Sequence, residues 1–154
     1  MRVLAIDPGV TNCAYCLWED GALKAWAVIN ASGGANGTTA ELAGVLTRIL
    51  KALPAGPFDA VVIETQMTKR MCSIAWGLWG AFHGSAKMVR ANHKYKRGGS
   101  GPENYSKRKA AAVEDARAAV AGSGWEGTLV GKCDDLADAY WLARSYLEGK
   151  GVTF

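Results

Sequence analysis

No apolar run in the 154-residue sequence reaches the roughly 18 residues that a membrane-spanning helix requires. Nor does a basic leader precede the first apolar segment, which begins at Val3. No secretory signal or transit peptide is therefore read, and a cytoplasmic protein with no membrane partner is expected. Histidine is scarce, with only His83 and His93, and the four cysteines (Cys13, Cys16, Cys72 and Cys133) contain one Cys-x-x-Cys without a second pair. On a strand, Cys13 and Cys16 would point to opposite faces, which spoils a shared zinc site. Buried free thiols in a reducing compartment are the expected state. A disordered bias is missing too: the chain is 49% hydrophobic and 21% charged, a globular balance. At this length a single domain over residues 1–154 is expected.

What is present is an uneven charge. The net charge is only +4, yet between residues 87 and 109 stand eight basic residues (Lys87, Arg90, Lys94, Lys96, Arg97, Lys107, Arg108 and Lys109) against one acid, Glu103. That segment carries +7 while the remainder carries −3. A solvated loop is the plain reading. A nucleic-acid backbone is the commonest reason for gathering positive charge in one place.

The first segment, Val3-Leu4-Ala5-Ile6, suits a buried strand, and Asp7 with a Pro8-Gly9 turn ends it. Asp7 either opens that turn by accepting backbone amides or meets a cation, because a carboxylate at the tip of a buried strand is costly without one. Residues 13–18 and 23–29 read as further strands, joined by the hairpin signal Asp20-Gly21. Thr38 or Thr39 is expected to cap a helix with Glu41 in its first turn, its apolar stripe running from Leu42 to Leu53 before Pro54. Residues 58–64 form a second apolar strand that also ends on an acid, Glu64. Parallel neighbours would bring both acids to one sheet edge, where open α/β sheets place their sites.

Residues 68–85 predict a helix that is apolar nearly all round, with Met71, Ile74, Trp76, Leu78, Trp79 and Phe82. Such a helix must be covered on more than one side. It is either a central core helix or, as two tryptophans in a small domain favour, a subunit interface. Gly77, Gly80 and Gly84 would let another helix come close. Residues 87–91 predict a last strand and residues 92–104 a polar, mobile loop. The next helix, from Tyr105 or Ser106 to Ala121, opens with Lys107, Arg108 and Lys109, cations that oppose its dipole unless an anion meets them. The final helix runs from near Cys133 to Glu148 and buries Leu136, Tyr140, Ala143 and Leu147. Asp135 and Asp138, three apart, share a face at the edge of that stripe, whereas Asp134 lies further round and is expected to be exposed.

Two acids on strand tips and two on a helix start would repel one another unless a divalent cation neutralised them, and oxygen-only ligands suit Mg²⁺ or Mn²⁺. The order Ile6-Asp7-Pro8-Gly9, Ile63-Glu64-Thr65-Gln66, then Lys132-Cys133-Asp134-Asp135-Leu136-Ala137-Asp138-Ala139 resembles the RuvC family of Holliday junction resolvases, dimeric enzymes of the RNase H-like superfamily. The run Ser106-Lys107-Arg108-Lys109-Ala110 is similar to one in its compact poxvirus, phage and fungal mitochondrial branch. The resemblance extends from residue 3 to residue 143.

It implies an α/β RNase H-like three-layer fold, a mixed five-stranded sheet flanked by helices. It implies a Mg²⁺-dependent crossover junction endodeoxyribonuclease, with Asp7, Glu64, Asp135 and Asp138 as catalytic ligands of two Mg²⁺ ions, for which Mn²⁺ would substitute. The expected substrate is a four-way DNA junction, in recombination or repair. Expected DNA contacts are Gln66, Lys69, Arg70, Lys94, Lys96, Arg97, Lys107, Arg108 and Lys109. The helix at 68–85 matches the family's dimer-forming helix, implying a homodimer through Met71, Ile74, Trp76, Leu78, Trp79 and Phe82. Where the bacterial pattern has an aromatic soon after the glutamate, this chain has Met67 and Met71. Three other readings stay open. Asp7-Pro8-Gly9-Val10-Thr11 also fits the phosphate turn of actin-like ATPases, which need two such domains. An RNase H-type nuclease would act on hybrids or single strands as a monomer. A non-catalytic nucleic-acid-binding module would leave the acids scattered and bind without metal.

Overall fold

The described residues, 1–36, 39–90 and 101–153 of a computed structural model, form five strands and four α-helices. In chain order these are β1 (Arg2–Asp7), β2 (Cys13–Glu19), β3 (Ala22–Ile29), α1 (Leu42–Ala52), β4 (Ala60–Glu64), α2 (Lys69–Ala81), β5 (Ala86–Val89), α3 (Tyr105–Ala119) and α4 (Asp134–Glu148). The strands lie in the order β3-β2-β1-β4-β5. β1 pairs antiparallel with β2 and parallel with β4, and β5 pairs parallel with β4, so the sheet is mixed. Two residues turn β2 into β3: Asp20 at φ 50° and Gly21 at φ 79° take the left-handed conformations that a tight hairpin demands.

Strand alternation divides the core in two. Leu4, Ile6, Val61 and Ile63 face α1 and α2, meeting Val45, Ile49, Ile74 and Leu78. Val3, Ala5, Ala60 and Val62 face α3 and α4. Small residues on that second face, Ala14 and Cys16 among them, leave room for Tyr140, which is 1% exposed. Its ring lies 5.8 Å from Trp18 and 5.3 Å from Trp26. Removing a side chain of this size from water stabilises the fold by roughly 1.5–3 kcal/mol. The Trp26 indole also donates to the Leu136 carbonyl at 2.8 Å, and Trp141 on α4 donates to the Ala112 carbonyl of α3 at 2.9 Å. The first turns of α4 are therefore fixed against the sheet from one side and against α3 from the other.

Several local expectations shift. Glu41 is the cap of α1 and not a first-turn acid: its carboxylate accepts from the Gly44 amide at 3.2 Å. Thr39 instead donates to the Asn36 side chain at 2.9 Å, and Thr38 lies outside the described residues. α2 stops at Ala81, short of residue 85. Ile74 and Leu78, expected at a subunit interface, are 1% and 0% exposed and belong to the chain's own core. The helix phase explains the division, because the face opposite Ile74 and Leu78 carries Trp76 and Trp79, 58% and 38% exposed and in edge-to-face contact at 5.7 Å. Met71 and Phe82 are half-buried against the same core. Gly77 admits a neighbouring helix as expected: a Cβ there would come within 2.6 Å of the Leu46 side chain on α1. The cysteines are free, with Cys13 and Cys16 buried on opposite faces of β2. Burial pushes the Cys13 thiol up to about 12, so it stays protonated and inert. No helix among the described residues is long and apolar enough to cross a membrane.

Candidate active site

The alternation that buries Val3 and Ala5 carries on to Asp7, and the one that buries Ala60 and Val62 carries on to Glu64. β1 and β4 are in parallel register through Ile6 and Ile63, so Asp7 and Glu64 are the next residues along on adjacent strands. Both therefore sit at one sheet edge on the face covered by α4. The chain turns sharply after Asp7. A Cβ at Gly9 would lie 2.4 Å from the Asn12 carbonyl oxygen, so this close turn requires glycine. Glu64 is 8% exposed and Asp138, on the second turn of α4, is 4% exposed. A buried carboxylate must meet a cation or hydrogen-bond donors.

The acids of α4 reach the same place. Asp135 is held above the usual carboxylate range, first by burial and then by the charge of Asp134, with Asp7 and Asp138 adding to it and Lys109 opposing it. Asp7 also accepts a long hydrogen bond, 3.4 Å, from the Gln66 amide. Asp135 thus feels the charges of Asp7 and Asp138, and Glu64 ends the strand next to Asp7.

One of the expected DNA contacts points inward. The Lys109 ammonium bonds the Asp138 carboxylate and lies 3.5 Å from Asp134. Burial alone would depress this lysine, but the Asp138 charge and hydrogen bond outweigh it and raise the ammonium above the usual lysine range. Asp134, expected to be exposed, is likewise drawn toward the cluster, its side chain 27% exposed. The helix phase of α3 carries the signal for this arrangement. Lys109 precedes the buried Ala112 and Ala116 by three and seven residues and so shares their inward stripe. The anion that the opening cations of α3 call for is, for Lys109, within the chain.

The other expected contacts differ in their surroundings. Lys69 and Lys107 are exposed. Arg108 donates to the Gly101 carbonyl at 2.6 Å, and Arg70 donates to the Ala40 carbonyl, which ties it to the segment before α1. Lys94, Lys96 and Arg97 lie outside the described residues, as does most of the loop expected at 92–104, whose end forms a short 3-10 turn at Pro102–Asn104.

Carboxylate oxygens are the donors that hard divalent cations select, so the chemistry of this set fits Mg²⁺. As the side chains stand, no three His, Cys, Asp or Glu groups among the described residues are arranged to hold a metal ion. Lys109 takes up two of the α4 acids, and the remaining like charges repel.

A family model described as poxvirus A22 protein matches residues 1–150. Among solved structures, fowlpox virus resolvase in complex with its substrate Holliday junction DNA aligns with a TM-score of 0.75 at 21% identity, over 97% of this chain and 99% of that one. A second structure of the fowlpox virus Holliday junction resolvase gives 0.66 at 22% identity, over 97% and 99%. Thermus thermophilus RuvC in complex with a Holliday junction substrate gives 0.53 at 20% identity, over 96% and 93%. At such identities the likeness speaks for the fold, which is the expected RNase H-like mixed sheet flanked by helices. A search of curated protein sequences returned no match.

Proposed function

Because the chain belongs to the poxvirus A22 family, we propose that it is a Holliday junction-resolving endonuclease. It hydrolyses phosphodiesters in opposed strands of four-way DNA junctions. What supports this reading is that Asp7 and Glu64 end adjacent strands on the face covered by α4, whose Asp135 feels the charges of Asp7 and Asp138, in a fold shared with a resolvase–junction complex.

Asp7, Glu64, Asp135 and Asp138 would hold Mg²⁺, two ions per site, with Mn²⁺ able to take their place. Bound there, the ions supply a water of lowered pKa and counter-charge for the leaving oxygen. The chain's own residues do the positioning. The sheet fixes Asp7 and Glu64, while Trp26 and Trp141 fix the α4 acids through backbone carbonyls. Gln66 orients the Asp7 carboxylate. Lys109 balances the charge of Asp138 and Asp134, and the exposed Lys69 and Lys107, with Arg108, would take neighbouring phosphates. Lys94, Lys96 and Arg97, which precede α3 in the sequence, would add phosphate contacts, as would Arg70, and Gln66 would contact DNA beside Asp7. Cutting two opposed strands calls for two sites, and we assign the exposed Trp76 and Trp79, flanked by Met71 and Phe82, to a homodimer contact.

A synthetic four-way junction incubated with Mg²⁺ tests this reading against Asp7→Asn. Paired symmetric nicks from wild type alone are expected. Equal cutting by the variant would remove Asp7 from the site, and cutting of RNA–DNA hybrids but not junctions would replace the substrate.

A further inference from the structure

Three surface cavities of about 470–490 Å³ differ in where they lie. The one lined by Met1, Asp59 and Tyr146 and the one lined by Pro57, Phe82 and Ser85 sit where β1, β4 and β5 begin, the opposite end of the strands from Asp7 and Glu64. The third, about 490 Å³, opens between the starts of α3 and α4, lined among others by Tyr105, Ser106, Lys109, Lys132 and Asp134. Lys109 and Asp134 belong to this groove and to the acid cluster alike, so the groove runs directly into the candidate active site. It is an open, shallow groove.

Its lining has two surfaces suited to a nucleotide. Tyr105 is 56% exposed, and the Lys109 ammonium lies over one face of its ring, 5.8 Å from the centroid, which links the ring to the cation that bonds Asp138. Every base presents a π-face that stacks on such a ring, whatever its sequence. Lys132 is exposed on the other wall, just before α4. Its segment is held in place because the Arg117 guanidinium donates twice to the Leu129 carbonyl, at 3.0 and 3.2 Å. An ammonium on a fixed segment is a point charge for a phosphate.

We propose that this groove seats one unpaired nucleotide adjoining the scissile phosphate, its base stacked on Tyr105 and its phosphate held by Lys132. The proposal rests on the endonuclease reading and adds two positioning residues to it. Stacking requires a base free of its complement, so the groove selects strand ends and branch points over intact duplex. A solvated rim beside a helix start is the plain alternative, and it assigns no role to the Tyr105 ring.

The test uses the full-length protein and a 2-aminopurine label, a fluorescent base quenched by stacking, placed in turn at each nucleotide flanking the cut. Binding to the labelled four-way junction is followed in Ca²⁺, and binding to a labelled single-stranded oligonucleotide is followed alongside. Wild type should quench one position. Tyr105→Phe should keep the quench, whereas Tyr105→Ala should lose it and bind about ten-fold more weakly, the effect of one lost stacked base. Lys132→Gln should flatten the salt dependence of binding by about the share of one phosphate. Unchanged quenching and affinity in Tyr105→Ala would overturn the proposal, as would a Tyr105→Phe variant as weak as Tyr105→Ala. Junction cutting by wild type in Mg²⁺ is scored separately. Its absence sinks the endonuclease reading, while the oligonucleotide quench still decides whether the groove holds a base.

Discussion

The two faces of the sheet are made from the same strands and follow different rules. The face under α1 and α2 is apolar, with Leu4, Ile6, Val61 and Ile63 against Val45, Ile49, Ile74 and Leu78. The face under α3 and α4 begins the same way with Val3, Ala5 and Val62, and its two central rows then end in Asp7 and Glu64. Side-chain period two makes this possible, since one strand can serve a dry core on one side and present a carboxylate on the other. The helices follow suit. α2 buries apolar groups inward and shows tryptophans outward, whereas α3 and α4 turn Lys109, Asp135 and Asp138 inward within their first two turns. If the acids of the second face do the chemistry proposed for them, substitutions on the two faces should separate folding from cutting.

The largest separation is expected at Glu64→Gln. The amide keeps the shape of a buried side chain and removes its charge, so junction cutting should fall by roughly 10²–10³-fold while the protein stays folded by circular dichroism. Loss of fold in this variant would merge the two faces. The opposite result is expected at Leu78→Ala, on a residue fully buried between α2 and the sheet. Denaturant unfolding should show a loss of about 2–5 kcal/mol, with cutting per folded molecule unchanged. A smaller effect is expected on the outer surface of α2. Trp76→Glu with Trp79→Glu should weaken self-association about 30-fold or more, the effect of removing an aromatic anchor, as read by sedimentation. A monomeric wild type would leave these tryptophans without the role assigned to them.

Much of this contrast is legible in the sequence, because it is local. Apolar runs that stop on Asp7 and Glu64, and an aspartate pair three apart on a helix, are patterns of period and spacing. Which face each acid takes follows from a strand's alternation, while their adjacency depends on the parallel pairing of β1 with β4. What stays hidden is set by tertiary phase. Thr39 loses the cap of α1 to Glu41 because the preceding loop, with Asn36 accepting from Thr39, delays the start of the helix. Ile74 and Leu78 read as interface residues until α1 and the sheet are seen to cover them, and the outward tryptophans are then what remains. Lys109 reads as one cation in a run of three, and only the stripe it shares with Ala112 and Ala116 turns it toward Asp138. Tyr105 gave no signal at all, since its value lies in the groove that α3 and α4 make together.

The smallest expected effect asks whether the chemical face is truly a site of crowded negative charge. Asp135 is raised from the usual aspartate value by burial and then by its acidic neighbours Asp134, Asp7 and Asp138, against a partial opposition from Lys109. A carboxyl whose folded pKa lies above its unfolded value costs stability once it ionises. Below the ordinary range of about 3.9 both states are protonated and the cost is absent. As the pH rises the unfolded chain ionises first, so stability falls through the window up to the raised value and the cost persists at neutral pH. Asp135→Asn removes that charge. Without divalent metal at pH 7 the variant should therefore melt about 1–3 °C above wild type, and the gap should close as the pH falls below about 4. Added Mg²⁺ should raise the wild-type melting temperature more than that of the variant, because the metal relieves in wild type a repulsion that the variant no longer has. A variant less stable than wild type at pH 7 would show that Lys109 pairs with Asp135 more strongly than the other acids repel it, and the two faces would then differ less in kind than their sequences suggest.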